Sequence, residues 1–272
     1  MTPERPTHRV PRVLSIAGSD SGGGAGIQAD LKAFAACGAY GMTAITAITA
    51  QNTVGVSAVH VVPPEIIVAQ VRAVLSDIGV DAVKIGMLGT AATIQAVAEV
   101  LAELPPGTPV VIDPVMVAES GAELLEPAAR EALVGRLLPL ATVITPNVPE
   151  ARVLAGGRSA ADRAGAEPAE LARLIHALGP RYVVVTGGHR EQATDVFYDG
   201  RELVEIPGPR HESRAAHGSG CTHSSVLAAA LARGEEPLAA ARLAKQMAAD
   251  AVRDGLEIIG HGAGPVNVLG VT

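Results

Sequence analysis

The sequence predicts an α/β fold in which helices cover both faces of a mostly parallel sheet, a three-layer, doubly wound arrangement. Short runs rich in β-branched residues alternate with amphipathic helical runs, and this alternation is typical of a parallel sheet covered by helices. Most of the β-runs end in glycine or a polar residue, as expected where strand ends line a ligand crevice. The Asp199-Gly200 pair between two further β-runs predicts a β-hairpin at one edge of the sheet.

Five β-runs predict the parallel strands, and each leads into residues suited to a turn or a ligand contact. They span 13–17, 44–49, 110–112, 143–144 and 182–185, and the hairpin strands span 196–198 and 202–204. Stop signals at Gly38, Gly79 and Pro105 help to define the helices. The helices are expected over 27–37, over 64–78, from a cap at Thr90 to before Pro105, and over 223–233.

The composition is that of one large domain. With 272 residues, of which 48% are hydrophobic and 18% charged, the chain can bury a substantial core. No internal repeat, linker or low-complexity tract marks a boundary, so we expect a single domain over residues 13–272. Residues 1–12 contain several Pro and Arg and are interpreted as a loose N-terminal extension.

Charge and composition exclude several classes of partner. A net charge of −7 gives no basic face for nucleic acid, and 2% aromatic residues offer few side chains on which bases can stack. No apolar run is long enough for a membrane span. Cys37 and Cys221 form neither a metal-binding spacing nor a disulfide framework, which indicates a reducing, cytoplasmic environment. The expected ligand is therefore a small molecule.

The loop at 216–222, Ala-His-Gly-Ser-Gly-Cys-Thr, has the features of an anion-binding site. Gly218 and Gly220 let the backbone turn several N–H groups toward one point, and the helix start that follows adds unpaired donors and the positive end of the helix dipole. The same dipole predicts a lowered pKa for Cys221. The alternative is a simple helix start with a buried, inert cysteine.

Common nucleotide-binding motifs are missing or incomplete. The chain has no Gly-Lys pair, which excludes a P-loop, and the glycine spacing at 22–26 does not match a dinucleotide-binding turn. The cluster at 22–26 is instead interpreted as a tight turn that brings the helix from Ile27 close to the sheet. Asp113, Asn147 and Glu150 follow strand ends and offer oxygen ligands for a hydrated Mg²⁺. A helix capping box is the alternative explanation for Asn147 and Glu150.

Seven motifs occur in one order along the chain. They are Ala17–Lys32, Thr49–Thr53, Lys84–Leu88, Asp113–Val117, Thr145–Ala151, Gly187–His189 and His217–Thr222. In this order they resemble the bacterial hydroxymethylpyrimidine/phosphomethylpyrimidine kinases, and the likeness extends from Val13 to Pro265. Several long motifs in one order are far more specific than a single glycine loop.

The resemblance implies a ribokinase-like fold and two successive phosphoryl transfers from ATP, with Mg²⁺ as the cofactor. The first transfer phosphorylates the hydroxymethyl group of 4-amino-5-hydroxymethyl-2-methylpyrimidine. The second makes the diphosphate that is used in thiamine biosynthesis. The resemblance also implies a homodimer.

Roles for individual residues follow from the same resemblance. Cys221 would take the proton of the attacking hydroxyl group, while the N–H groups of Gly218, Ser219 and Gly220 neutralise charge on the transferring phosphoryl group. The residues implied around the pyrimidine are Gly18, Asp30, Thr49, Gln51, Met87 and Val115. Those implied at ATP are Asn147, Thr186, Gly188 and His217, with Glu150 and Asp113 at Mg²⁺ through water.

Three positions depart from motifs found in the family. Ala216 and Thr186 replace a Thr and a Lys that occur in some members, and Glu119 stands where many members have Lys or Thr. The changes at Glu119 and Thr186 remove positive charge, so they bear on the affinity for the monophosphate or for ATP. Lys84 matches the family, either as a strand-end residue or as a phosphate contact.

Other functions are weighed against this one. Some relatives phosphorylate pyridoxal or pyridoxine, whose ring is similar in size, and Gln51 is the residue that discriminates between these substrates and the aminopyrimidine. A hydrolase or acyltransferase with Cys221 as nucleophile beside His217 or His223 is a remote alternative, because no orienting Asn or Asp motif accompanies the pair. Lone loop histidines such as His189 and His223 are otherwise interpreted as structural or solvated. A non-catalytic vitamin-binding protein leaves the anion loop and the Mg²⁺ carboxylate unexplained.

Overall fold

A computed structural model describes residues 10–117, 121, 124–156, 165–188 and 193–272. Its strands are β1 (Arg12–Asp20), β2 (Tyr40–Gln51), β3 (Val56–Val61), β4 (Ala82–Ile85), β5 (Val110–Ile112), β6 (Val143–Ile144), β7 (Tyr182–Val185), β8 (Asp195–Tyr198) and β9 (Leu203–Ile206). Its helices are α1 (Gly26–Ala36), α2 (Pro64–Asp77), α3 (Ala91–Leu101), α4 (Pro127–Ala132), α5 (Val148–Leu154), α6 (Pro168–His176), α7 (Ser219–Ala232) and α8 (Pro237–Arg253). A π-helical turn (Leu133–Leu137) and a 3₁₀ turn (Leu138–Leu140) follow α4.

Within the described residues the strands form one mixed sheet in the order β3-β2-β1-β4-β5-β6-β7-β8-β9. Adjacent strands from β2 across to β7 run parallel. The β2–β3, β7–β8 and β8–β9 pairs are antiparallel. The β8–β9 pair is the predicted hairpin, with Tyr198 opposite Leu203. A mostly parallel sheet with a hairpin edge is therefore confirmed.

Helices cover both faces of the sheet and make three layers. One apolar cluster joins α2 to α6 with one face, through residues such as Leu14, Ile85 and Ile144. A second cluster joins α1, α7 and α8 with the opposite face, through residues such as Val13 and Val184. Because successive strand side chains point to opposite faces, Val13 and Leu14 serve different layers. None of the helices in the described part of the chain is long and apolar enough to cross a membrane.

The winding of the chain reverses beside β1. The β1 strand pairs in parallel with both β2 and β4. α1 leads from β1 to β2 on one face, whereas α2 leads to β4 on the other face. Such a reversal opens a crevice at the carboxyl ends of the two strands. The register between β1 and β2 shifts between Ala17 and Ser19, at the mouth of this crevice.

Several boundaries differ from the predictions. β1 begins at Arg12, whose guanidinium group lies 2.8 Å from Asp81, so Arg12 is not part of a loose extension. Residues 1–9 lie outside the described residues. α7 begins at Ser219 rather than at His223. Two strands were not predicted, because β3 is exposed over most of its length and β4 is only four residues long with a lysine inside its apolar run.

Candidate active site

A cavity of about 450 Å³ lies at the carboxyl ends of the central strands. All but one of the residues predicted for the site line it. They are Gly18, Thr49, Gln51, Met87, Asp113, Val115, Asn147, Glu150, Thr186, Gly188, His217, Gly218, Ser219, Gly220 and Cys221. The exception is Asp30. The fold thus brings residues from both halves of the chain to one crevice.

The loop before α7 forms a backbone cradle on one wall of the cavity. Gly218 has a φ of +84°, and a Cβ at this position would overlap the carbonyl oxygen of Gly24, so the position requires glycine. α7 begins immediately afterwards, so the donors of its first turn and the positive end of its dipole lie at the cavity. One predicted phosphate donor is already engaged, because the N–H of Ser219 donates to the carbonyl of Ala216 at 3.1 Å.

Asp20 ties the glycine turn before α1 to this cradle. Its Oδ2 accepts hydrogen bonds from the N–H groups of Gly24 (3.1 Å) and Ala25 (2.9 Å), and its Oδ1 accepts from Gly22 (2.8 Å). The Nε2 atom of His217 lies 3.1 Å from the same Oδ2 atom. Burial alone would raise the pKa of Asp20, but these donors outweigh it and hold the pKa below its ordinary value. The sequence did not single out Asp20, because its partner across the cavity, His217, lies on a loop 197 residues away.

The thiol of Cys221 lies in the first turn of α7, partly exposed at the cavity wall. Its pKa is raised to about 12, mainly because burial disfavours the thiolate. Lys84 and the N–H of Gly26 oppose this effect, whereas Asp113 and Asp30 add to it. The prediction of a lowered pKa is therefore wrong, because desolvation and nearby carboxylates outweigh the helix dipole.

A buried charged cluster lies close to this thiol. Asp30 and Lys84 are fully buried, and the ammonium group of Lys84 lies 2.8 Å from Asp30 and 3.7 Å from Asp113. The hydroxyl groups of Ser15 and Ser225 donate to Asp30 at 2.6 Å and 2.7 Å. Asp30 therefore serves as the counter-ion of Lys84 and does not line the cavity, contrary to its predicted place around the pyrimidine. Lys84 is a buried residue of β4, and it also lines the cavity.

Asn147 and Glu150 form the capping box of α5. The Oδ1 atom of Asn147 accepts from the N–H of Glu150 at 2.8 Å, and the Oε2 atom of Glu150 accepts from the N–H of Asn147 at 2.9 Å. The capping alternative is thus confirmed, although both side chains also line the cavity. Burial, with a smaller contribution from Asp113, raises the pKa of Glu150 to about 8.

The chemistry of Asp113 and Glu150 fits a hydrated divalent cation. Burial raises the pKa of Asp113 as well, although Lys84 and the hydroxyl group of Ser224, 3.0 Å away, act against it. A cation between two such carboxyl groups would favour their charged forms. Within the described residues no group of three or more His, Cys, Asp or Glu side chains is arranged to hold a metal ion.

The carboxyl end of β2 forms one end of the cavity. The backbone of Gln51 is bonded to Ser21, whose hydroxyl group accepts from the Gln51 N–H at 2.8 Å and lies 2.7 Å from the Gln51 carbonyl oxygen. The side-chain oxygen of Gln51 lies 3.1 Å from the hydroxyl group of Thr49. Gly18 faces Met87, and a Cβ at Gly18 would lie 3.1 Å from the methionine sulfur. This end is therefore a narrow pocket with one oriented amide.

The opposite end of the cavity, beyond β7, contains two charged residues that the sequence reasoning missed. Asp195 and Lys245 belong to none of the motifs, yet both are buried and line the cavity. His223, interpreted as structural or solvated, is buried beside Asp195 and also lines the cavity. Lys245 could have been noticed in the sequence, because it lies on a face of α8 whose other buried residues are alanines. Glu119 and His189 lie outside the described residues.

The family model of phosphomethylpyrimidine kinase matches residues 20–267. The chain belongs to the phosphomethylpyrimidine kinase family. It is also 53% identical to the hydroxymethylpyrimidine/phosphomethylpyrimidine kinase of Rhizobium meliloti, in an alignment that covers 93% of this chain and 95% of the relative. The predicted family and its kinase activity are therefore confirmed.

Two solved structures share the fold. The pyridoxal kinase of Bacillus subtilis, in complex with ADP, has a TM-score of 0.84 and 40% sequence identity, and the match covers 95% of this chain and 97% of that one. The phosphomethylpyrimidine kinase of Clostridium difficile has a TM-score of 0.74 and 42% identity, covering 86% of this chain and 96% of that one. The predicted ribokinase-like fold is therefore confirmed.

Proposed function

We propose that this kinase phosphorylates the hydroxymethyl group of 4-amino-5-hydroxymethyl-2-methylpyrimidine with ATP, and then converts the monophosphate to the diphosphate in thiamine biosynthesis. One observation carries the proposal: the cradle and Cys221 share one cavity with Gln51, at the end of β2, and with Thr186 and Gly188, after β7. The sheet order puts the two groups at opposite ends. Such a cavity can align an acceptor ring with a nucleotide. By family resemblance, the proposal includes a cytoplasmic homodimer.

In the first transfer the hydroxymethyl oxygen attacks the γ-phosphorus of ATP. A new O–P bond forms, the bond from that phosphorus to the departing ADP oxygen breaks, and the hydroxyl proton passes to the thiolate form of Cys221. The backbone donors at Gly218 and Gly220 stabilise charge on the transferring phosphoryl group. Because the transition state is loose, positioning matters more than base strength, which suits a thiol that ionises only at high pH.

In the second transfer the nucleophile is a phosphate oxygen of the monophosphate. A phosphate ester has a second pKa of about 6, so this oxygen carries no proton to remove at neutral pH. The role of Cys221 as a base therefore ends with the first transfer. The backbone cradle is used in both transfers, because the same kind of group is transferred.

ATP is assigned to the end of the cavity after β6 and β7, with Asn147, Thr186, Gly188 and His217 as its contacts. The ADP complex of the Bacillus subtilis neighbour supports a nucleotide in this fold. Glu150 and Asp113 would hold hydrated Mg²⁺, which supplies positive charge beside the phosphates when it is bound.

Alanine at Gly24 is expected to lower kcat by about tenfold or more, because misplacing reacting groups by an ångström can cost about 100-fold. The added Cβ would overlap the imidazole ring of His217, which directly precedes the cradle. Steady-state ADP release measures the effect. Gly55→Ala is the matched control, since a Cβ there meets open space. A Gly24→Ala enzyme with wild-type kcat would show that the position of His217 does not govern the cradle.

Pyridoxal is the second candidate substrate, because the Bacillus subtilis neighbour is named a pyridoxal kinase. Gln51 favours the aminopyrimidine, whose amino group and ring nitrogen match the acceptor and donor of an amide. Pyridoxal presents a phenolic oxygen and lacks this pair. An unmade hydrogen bond costs roughly 1–3 kcal/mol, so we expect a preference for the aminopyrimidine of about one to two orders of magnitude in kcat/KM.

Gln51→Met is expected to narrow or reverse that preference, because methionine keeps the bulk of the side chain but removes both hydrogen-bonding groups. The aminopyrimidine should lose more activity than pyridoxal. A coupled ADP-release assay on the aminopyrimidine, its monophosphate and pyridoxal tests the proposed function and this variant together. Equal losses on both rings, or a wild-type enzyme that prefers pyridoxal, would favour the pyridoxal kinase function.

A further inference from the structure

Asp195 gathers groups from three elements beyond β7. It is the first residue of β8 and is 1% exposed. Its Oδ1 atom accepts from the ammonium group of Lys245 on α8 at 2.7 Å and from the N–H of Gly187 at 2.9 Å. Its Oδ2 atom lies 3.2 Å from Nε2 of His223 on α7. One buried carboxylate therefore contacts the loop after β7, α7 and α8.

Each of these elements forms part of the cavity wall. Gly187 lies between Thr186 and Gly188, which both line the cavity. The cradle leads directly into α7, and α8 contributes further residues that line the cavity. A Cβ at Gly208 would collide with the aliphatic part of Lys245, so the segment that continues into the cavity-lining residues 209–211 packs directly on this lysine. A movement of Asp195 would therefore shift the loop after β7, α7 and α8 together.

The stability of the fold alone does not require a buried charged cluster at this wall of the cavity. Burying charged groups costs solvation energy, and apolar side chains of similar size often stabilise a protein equally well. Asp195 faces two basic side chains, Lys245 and His223, at a wall of the cavity. Nε2 of His223 faces Asp195, but its Nδ1 atom is buried without a hydrogen-bond partner among the described residues, which is unusual for a purely structural histidine.

Asp195 remains a carboxylate in this setting. Burial alone would raise its pKa, but the facing imidazole of His223, the ammonium group of Lys245 and the N–H of Gly187 outweigh burial and hold the pKa below its ordinary value. The charge is therefore available to fix its three partners. The ammonium group of Lys245 and the imidazole ring of His223 stay close to the cavity wall because this carboxylate holds them there.

We propose that Asp195 is a positioning residue for the nucleotide: by holding Lys245, His223 and the Gly187 N–H, it fixes the wall against which the ATP phosphates bind. This inference rests on the proposed place of ATP at this end of the cavity. The pyrimidine end lies around Gln51, at the end of β2, and Met87, just after β4, and the strands β5, β6 and β7 separate β4 from β8 in the sheet. Asp195 therefore governs nucleotide affinity and leaves acceptor affinity unchanged.

The test is the double variant Asp195→Leu/Lys245→Met, which removes both charges together and so avoids an uncompensated buried charge. Loss of the charged contacts is expected to raise the dissociation constant of ADP, measured by calorimetry, by about tenfold or more. The KM of the aminopyrimidine should stay within about twofold of the wild-type value, because the variant removes no contact to the acceptor. In single variants, Lys245→Arg should retain more ADP affinity than Lys245→Met.

Asp199→Asn is the matched control, because Asp199 lies just beyond the other end of β8, is partly exposed on the hairpin turn and does not line the cavity. It should leave ADP affinity unchanged. A folded double variant with wild-type ADP affinity would overturn the proposal, as would equal losses for ADP and the aminopyrimidine. Calorimetry with ADP needs no turnover, so failure of the proposed pyrimidine activity would be seen separately.

Discussion

Cys221→Ala is expected to lower kcat for phosphorylation of the hydroxymethyl group by about 100-fold or more, because a positioned general base contributes about 10²–10⁴-fold. The backbone donors of the cradle are unchanged, so ATP affinity should stay within about twofold. Single-turnover rates with the aminopyrimidine measure this step directly. Turnover close to wild type would remove the thiol from the role of base.

The pH profile separates a base from a structural cysteine. Burial raises the pKa of Cys221 to about 12, so the reactive thiolate becomes more abundant as the pH rises toward that value. The rate of the first transfer should therefore increase from neutral to alkaline pH without a plateau near pH 7, and the alanine variant should lose this slope. The monophosphate is the internal control, because its transfer needs no proton removed and should fall much less in the variant. Equal losses for both acceptors would contradict a role as base.

Lys84→Met is expected to destabilise the protein by about 3–5 kcal/mol, because it leaves buried carboxylates without their cation. Asp30 and Asp113 both face this lysine, and Asp30 has no exposed surface. For a domain of this size, each kcal/mol lowers Tm by about 2–4 °C, so the fall should be roughly 6–20 °C. Scanning calorimetry of the purified variant measures it.

Two companion variants identify the cause of that loss. Lys84→Met/Asp30→Asn removes the opposing charge as well and should be more stable than Lys84→Met alone. Arg72→Met breaks an ion pair with Glu103 that is largely exposed, and it should leave Tm close to wild type. If the double variant is no more stable than the single variant, packing around the lysine stem, rather than charge, holds this region together.

Strands with continuous apolar runs could be predicted from the sequence, as β7 (Tyr182–Val185) illustrates. Such runs reflect burial on both faces and need no knowledge of the partner strand. β3 could not be predicted in this way, because its exposed residues are held in place by pairing with β2. The helix cap at Thr90 was predictable for the opposite reason, since the side chain accepts from a residue three positions ahead, Thr93.

The site shows the same division between local and distant causes. The cradle at Gly218 and the capping box of Asn147 and Glu150 each depend on a few consecutive residues, so both could be predicted from the sequence. The pKa of Cys221 depends on burial and on carboxylates from other elements, so a rule based on the helix start alone gave the wrong sign. Asp195 was missed for the same reason, because the fold brings its partners together from separate elements.

The contact between Gly24 and Gly218 constrains the exchange of segments between related enzymes. A side chain at Gly218 would overlap the backbone of Gly24, and a side chain at Gly24 would overlap the ring of His217. A chimaera that takes one loop from one parent and the second loop from another keeps its geometry only when both parents supply glycine. In a mutant library that varies the two loops independently, most members would therefore lack one of the two glycines and would be inactive.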